Sequence, residues 1–299
     1  MRTVSYDEIL AGLKRAGVAP GDVLLVHSAL TPIGYVEGGA ATVARALLEA
    51  VGPDGTLVAP AFCFAHETVD PPVIDPANDV SEMGMISEAV RNLPGAKRSI
   101  AYRHSFSAVG RHADLITDVD PYYSVFDMAS SFGKLLGLNA KVLLLGVTWL
   151  NSTSHHFAEY LLQVKDRQTV EKNALLRGED GTLHPVVLTD YQPRPTATGE
   201  YYSYPHDFNR SGRMLEKLGK VTVSSVGNAV TRLHYMRDLI SFLLFNYPVS
   251  YNLFAVDPGT GLPEVLPDGV TVTKEVVDGA GRPETAVWSC LRAEDVFRR

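Results

Sequence analysis

The chain has 299 residues, 45% hydrophobic, 20% charged and 9% aromatic, a balance that excludes a largely disordered protein and suits one large α/β domain or two smaller ones. Lysine plus arginine number 27 against 34 aspartates plus glutamates; the net charge of −7 excludes a general nucleic-acid binder, because neutralising phosphates requires a basic face. Two distant cysteines, Cys63 and Cys290, exclude a disulfide framework and any Cys-x-x-Cys pair.

The first residues carry no apolar core of a secretory signal. The most apolar runs, 23–26, 142–147 and 239–245, fall well short of the roughly 20 residues that span a bilayer. The expectation is a cytoplasmic protein. Ser5-Tyr-Asp-Glu8 is a capping-box pattern, and Ile9, Leu10 and Leu13 continue it at helical spacing, so 6–16 reads as a helix stopped by Gly17. Val23–Val26 reads as a buried strand, Gly38-Gly39 as the start of a helix running to Ala50, and Leu57–Pro60 as a second strand. A helix over 83–92, a strand over 106–109 and a helix over 130–137 follow. Lys141–Val147 is the clearest buried strand, and it feeds a helix from Ser154 to Arg167. Glu179-Asp-Gly-Thr182 reads as a hairpin turn, 190–206 as an ordered loop, and 212–219 and 228–246 as helices. Strand–helix alternation of this kind predicts an α/β protein, a mixed sheet with helices on both faces. Residues 248–299 change texture: turns such as Asp257-Pro-Gly punctuate short β-branched runs, which predicts a β-rich extension packed on a principal unit of 1–247.

Chemistry concentrates in Asn151-Ser-Thr-Ser-His-His-Phe-Ala-Glu-Tyr160, directly after the 142–147 strand, where side chains of α/β proteins project into a ligand crevice. His156 and Glu159 are i,i+3 on one helix face, so the carboxylate can orient the imidazole as a general base. Two other readings stay open at this point: an ordinary ion-paired helix histidine, or a metal site of His155, His156 and Glu159 in a hydrolase. His27 to Leu30 followed by Gly38-Gly39 offers backbone N–H groups to an anion or a thioester carbonyl, without the spacing of a dinucleotide fold or a P-loop. Arg98 and Arg103 are candidate phosphate ligands. The stretch His66–Val90 holds six carboxylates and no lysine or arginine, and Asp114–Asp127 holds four aspartates, also without a cation; either would attract a cationic substrate. Cys63 reads as core.

Four stretches carry a family resemblance: Gly21-Asp-Val-Leu-Leu-Val-His-Ser-Ala-Leu30, Glu37-Gly-Gly-Ala-Ala-Thr-Val43, Val51-Gly-Pro-Asp-Gly-Thr-Leu-Val-Ala-Pro-Ala-Phe62, and Leu143–Val147 with Thr153-Ser-His-His-Phe-Ala-Glu-Tyr160. On these the chain resembles the aminoglycoside 3-N-acetyltransferases, antibiotic N-acetyltransferases distinct from the GNAT fold. The resemblance runs from about residue 5 to 247. It implies acetyl-CoA as co-substrate, His156 as catalytic histidine and Glu159 as its carboxylate partner. It also implies acyl-CoA contacts from Ser28, Ala29, Leu30, Arg98, Ser99, Ser105 and Phe106. Tyr35, Glu37, Asp127 and Thr153 are the expected acceptor-binding residues, and a homodimer is a further expectation. The chain departs from the family pattern at Ala29, where a serine is usual, at Ala101-Tyr102 in place of His-Pro, and at Ser130-Ser131 in place of Ser-Pro. The expected activity is acetyl transfer from coenzyme A to an amine of an aminoglycoside or related aminosugar, through a ternary complex and with no metal. The alternatives are an N-acyltransferase of a natural-product pathway acting on another amine, and a non-catalytic acyl-CoA-binding protein of the same fold.

Overall fold

A computed structural model describes residues 3–123, 125–164, 167–194 and 208–247, with the backbone of two short strands beyond them. Along the chain lie β1 (Thr3–Val4), α1 (Tyr6–Ala16), β2 (Val23–Ser28), β3 (Tyr35–Val36), α2 (Gly39–Val51) and β4 (Thr56–Pro60). Then come β5 (Val73–Ile74), α3 (Met85–Arg91), β6 (Lys97–Arg98), β7 (Phe106–Gly110), α4 (Ala113–Thr117), α5 (Ser131–Gly137) and β8 (Lys141–Leu145). The described chain continues through α6 (Ser154–Leu161), β9 (Arg167–Arg177), β10 (Leu183–Pro193), α7 (Phe208–Lys217), β11 (Val221–Val226), β12 (Ala229–Tyr235) and α8 (Met236–Asn246).

A seven-stranded mixed sheet in the order β11-β12-β8-β2-β4-β7-β6 organises these elements. Its centre is parallel, β8 with β2 and β2 with β4, and its flanks are antiparallel. The middles of the central strands are apolar because both faces are covered, and polar residues stand only at their ends, Thr56, Lys141 and His27-Ser28. Leu24, Val26, Leu57, Ala59, Leu143 and Leu145 point to the side of α1, α2 and α3. Their neighbours Leu25, Val58, Val142 and Leu144 point to the side of α4 through α8. Fully burying each such aliphatic side chain contributes roughly 1.5–3 kcal/mol relative to exposure. The α/β expectation with helices on both faces is met.

Local boundaries follow local chemistry. Ser5 and Glu8 form both halves of the capping box of α1, and Gly17 ends it in the left-handed region at φ 101°. The expected helix from Ser154 to Arg167 stops at Leu161; Gln163 takes φ 52°, and Arg167 opens β9. The expected helix over 228–246 is a strand followed by a helix. In β12, Ala229, Thr231 and Leu233 are buried while Val230 is exposed, a period of two that the apolar count alone does not separate from a helix. Residues 190–193 end β10 instead of opening a loop, and 195–206 lie outside the described residues. The long β9–β10 hairpin turns at the expected Glu179–Thr182 and pairs with β5 in a second sheet. In the C-terminal extension, β13 (Glu264–Val265) and β14 (Thr271–Val272) pair antiparallel; the rest lies outside the described residues.

Helix α7 covers the segment after β8. Gly212 faces the Trp149 indole so closely that an added Cβ would fall inside the ring's van der Waals envelope. Trp149 Nε1 donates to Glu216 on the same helix at 2.7 Å, and Glu216 also accepts from Arg232 of β12. Three histidines are buried around this seam, His27 of β2, His155 of α6 and His234 of β12. His155 stacks on Phe208 at 4.5 Å, and His234 packs on Trp149 at 5.0 Å. Burial pushes the His27 pKa down to about 3 and that of His234 to about 4, and holds His155 well below the ordinary value.

The seam sets two measurable features of stability. Gly212→Ala forces α7 off Trp149 and lowers the unfolding free energy in urea by about 1–3 kcal/mol. The buried histidines have depressed pKa values, so the unfolded chain binds more protons than the native one below pH 6.5. Their contribution is complete above that pH and is lost as pH falls toward 4, with a slope of up to ~1.4 kcal/mol per pH unit for each proton. Urea midpoints measured at pH 7.5, 6 and 5 fall in that order, and His234→Gln flattens the decline.

Candidate active site

The site lies where β2, β4 and β8 end, the carboxyl edge of the parallel strands. Parallel pairing runs up to this edge, with Ser28 opposite Leu145 and the Ala29 N–H donating to the Leu145 carbonyl at 2.9 Å. Gly146 then turns the chain at φ 69°; a Cβ there would meet Pro32 at 3.0 Å and the Ala29 carbonyl at 3.2 Å, so only glycine fits both the backbone and the space. A 3-10 turn over Trp149–Asn151 leads into α6.

Helix α6 buries Ser154, His155, Phe157, Ala158 and Glu159 and leaves His156 partly open. His156 Nδ1 lies 2.6 Å from Glu159 Oε2, and Arg167 Nε lies 2.8 Å from the same oxygen. Glu159 is 1% exposed, so its charge is compensated almost wholly by these neighbours. Arg167 is itself buried and lies over the Tyr191 ring. Burial first, and the Arg167 cation second, hold the His156 pKa well below its ordinary value. The imidazole is therefore neutral at pH 7. A carboxylate at Nδ1 requires the proton there, which assigns the basic lone pair to Nε2. Phe126 and Phe208 flank the ring at 6.0 and 5.1 Å.

An adjoining cleft of about 200 Å³ is lined by His27, Ser28, Pro60, Met83, Val147, Leu150, Asn151 and Thr153. Thr153 is one turn before His156 on α6. Two buried polar atoms of this cleft, His27 Nε2 and Ser28 Oγ, have no partner among the described residues. His27 was not expected as a site residue: a lone histidine at a strand end is ordinarily satisfied, and only the unfilled nitrogen marks it.

The structure brings some expected residues together and corrects others. Ser28 and Thr153 line the cleft, and Asp127 accepts from the hydroxyl of Tyr160, one turn after His156. Tyr35 and Glu37 do not line it; both are exposed at the β3–α2 turn, where Tyr35 pairs with β1. The Ala29 N–H is spent inside the sheet, which removes it as an anion donor, and Leu30 packs against the α1–α3 core. Arg98 is corrected from a phosphate ligand to an internal clasp. Its guanidinium donates to the carbonyls of Ala61, Pro76 and Asp79 and to Ser105 Oγ. Ser99 Oγ accepts the Phe106 N–H at 2.9 Å, Ser105 donates to Ala61, and Phe106 is fully buried, so this segment builds the sheet edge. Arg103 pairs with Glu67 and Asp190.

The acidic stretch is likewise committed. Glu67 meets Arg103, Asp75 meets Arg177, Glu88 meets Arg91, and Glu82 accepts the Phe64 N–H. The reading of His155, His156 and Glu159 as a metal site does not match the geometry. The His155 nitrogens contact the Ser152 carbonyl at 3.2 Å and Ser211 Oγ at 3.0 Å. No helix among the described residues is long and apolar enough to cross a membrane.

Known proteins share this fold. The sequence model of the family described as aminoglycoside 3-N-acetyltransferase matches residues 25–244. Aminoglycoside N(3)-acetyltransferase III of Salmonella sp is 32% identical over 251 residues, covering 78% of this chain and 88% of that protein. The SPbeta prophage-derived aminoglycoside N(3')-acetyltransferase-like protein YokD of Bacillus subtilis (strain 168) is 30% identical, covering 78% and 89%. Among solved structures, aminoglycoside acetyltransferase AAC(3)-Xa superposes with a TM-score of 0.70 at 28% identity, covering 81% of this chain and 92% of its own. A mutant of AAC(3)-IVa in complex with a gentamicin gives 0.69 at 28% identity, covering 86% and 93%. AAC-IIIb with CoASH, at 23% identity, shares the fold with a TM-score of 0.72 over 81% and 96%. The matched stretch runs from β2 into α8 and contains both halves of the His156–Glu159 pair, and on this ground the chain belongs to the aminoglycoside 3-N-acetyltransferase family.

Proposed function

We propose that this chain transfers the acetyl group of acetyl-CoA to an amine of an aminoglycoside, with His156 as general base. The observation that carries the reading is the 2.6 Å contact of His156 Nδ1 with a buried Glu159 that Arg167 holds from the other side. The acceptor nitrogen attacks the thioester carbonyl carbon, and His156 Nε2 takes the proton that nitrogen loses. The tetrahedral intermediate then collapses, the carbon–sulfur bond breaks, and the coenzyme A thiolate leaves and is protonated. Glu159 fixes the tautomer and stabilises the imidazolium formed in the step, so it is a positioning residue. Ser28 Oγ is assigned to the thioester end of the cleft as a hydroxyl donor, the role that the Ala29 N–H cannot fill. Asp127, beside Tyr160 on the His156 face of α6, is assigned to an ammonium group of the acceptor. The remaining members of the site reading, Thr153 at the cleft and Gly38-Gly39 at the start of α2, are assigned to contacts with the two substrates.

The reaction uses acetyl-CoA, a metabolite of the cytoplasm, and the chain is assigned to that compartment. Residues 1–247 are proposed as the transferase unit and 248–299 as an appendage to it. A homodimer is proposed from the family resemblance; the His156–Glu159–Arg167 set is complete within one chain.

The test is mass spectrometry of gentamicin, sisomicin and simpler amines after incubation with acetyl-CoA, for the unaltered chain and for His156→Ala. One added acetyl group, formed about 10²–10⁴-fold more slowly by His156→Ala with acetyl-CoA binding retained, is the expected result. Saturable acetyl-CoA binding without any product favours the non-catalytic reading, and acetylation of other amines only moves the acceptor outside the aminoglycosides. A second measurement is the pH profile. Catalysis needs neutral His156, whose pKa is depressed, so kcat/KM stays level from pH 7.5 down through 6.5 and falls only in more acid solution. Glu159→Gln lowers kcat by roughly 10–100-fold with KM for acetyl-CoA little changed, as loss of an orienting group does.

A further inference from the structure

A second cluster shares no residue with the site above. Cys63 leaves the end of β4, His66 lies in the 3-10 turn Ala65–Thr68, and Asp79 closes the excursion that returns to α3. Among the described residues, these three each offer a ligand atom within 4.8 Å of the other two. They line a small cavity of about 10 Å³ with Arg98 and Tyr102.

His66 is the informative member. It is 7% exposed, and among the described residues neither ring nitrogen makes a hydrogen bond of ordinary geometry, with the Tyr102 main chain beside the ring. The ring packs edge-on against Tyr102 at 5.0 Å, which orients it. A buried imidazole with both nitrogens unsatisfied is rare in a folded protein and calls for a ligand. Cys63 is a free thiol, 5% exposed. Asp79 Oδ2 accepts the Asp75 N–H at 2.9 Å, the kind of outer hydrogen bond that orients a ligating carboxylate.

We infer that Cys63, His66 and Asp79 form a binding site for a thiophilic divalent cation of the zinc class. One sulfur, one nitrogen and one oxygen donor suit zinc, whereas magnesium and calcium take oxygen donors throughout. Donor atoms around a tetrahedral zinc stand about 3.3–3.8 Å apart, so side-chain movements of about 1 Å close the set. Binding forms a bond from the sulfur to the ion, and the Cys63 thiol proton passes to solvent. The thiolate and the Asp79 carboxylate balance the two charges of the ion. Arg98 faces the same space, but its guanidinium is held by the carbonyls of Ala61, Pro76 and Asp79; Glu67, Glu82 and Glu88 are further carboxylates nearby, and Arg91 and Arg103, the latter paired with Glu67 and Asp190, are further cations. An ion here closes the 63–79 excursion onto its own start just after β4, a staple in a segment whose own strand, β5, is two residues long.

Cobalt(II) is the probe, because thiolate ligation gives it a near-ultraviolet charge-transfer band. The full-length protein, reduced and freed of metal with a chelator, is titrated with Co2+, and Zn2+ is then added. The expected result is one saturable equivalent with that band, displaced by Zn2+. The band is absent in Cys63→Ser and retained in Cys290→Ser, and cobalt affinity drops at least about tenfold in His66→Gln and in Asp79→Asn. The last two variants keep the thiol and serve if Cys63→Ser does not fold, as judged by circular dichroism. The absence of a saturable band, a band that survives Cys63→Ser or vanishes with Cys290→Ser, or unchanged affinity in both His66→Gln and Asp79→Asn overturns the assignment.

Discussion

A carboxylate taken out of water must be answered by partners, and Glu159 is answered from two directions. His156 comes from its own helix, one turn away, while Arg167 comes from the first residue of the β9–β10 hairpin. The contact thus joins a short helix at the edge of the main sheet to the second sheet. The two partners are not equivalent. Arg167 is always charged, whereas His156 is kept neutral by its surroundings. Arg167 balances the carboxylate before any chemistry begins, and a proton gained by the imidazole adds a positive charge to the set, which Glu159 at Nδ1 shares.

The main sheet determines where that balance is used. Its parallel centre places the ends of β2, β4 and β8 side by side, so His27, Ser28, Pro60 and Val147 arrive at one cleft from separate parts of the chain. The two covering layers do different work. Helices α1, α2 and α3 close the face that carries Leu24 and Leu143, and they hold the strands in register. Helices α4 through α8 close the other face; Phe208 of α7 packs on His155 and His156, and Phe126, just before α5, flanks His156. Aromatic packing there supplies the dry surroundings that depress the histidine pKa values.

How much of this is visible in the sequence depends on the range of each interaction. The His156–Glu159 pair is legible because helical spacing alone puts the two side chains on one face. The central strands are legible because burial on both faces makes their middles continuous apolar runs. Arg167 is not legible as a partner of Glu159: it continues an apparent helical pattern, and only the positive φ at Gln163 sends it into β9. Arg98 misleads for a related reason. Arginine beside serine is a phosphate-binding composition, but three backbone carbonyls from distant turns claim the guanidinium, and no local pattern announces them. Strand β12 shows the limit of period counting, since seven residues with apolar positions at both spacings fit either template.

The way Ala29 is bonded has a consequence for how this site can change over generations. Because its amide is tied to Leu145, the floor of the cleft presents the side chains of His27 and Ser28 and not the Ala29 amide. Main-chain donors are indifferent to codon changes; side-chain donors are not. A single nucleotide substitution can exchange a hydroxyl or an imidazole there for another group while the strands beneath keep their pairing. The scaffold is thereby insulated from the experiment that selection performs on its lining, and descendants of one fold can drift toward different acyl donors and amines without first passing through an unstable intermediate.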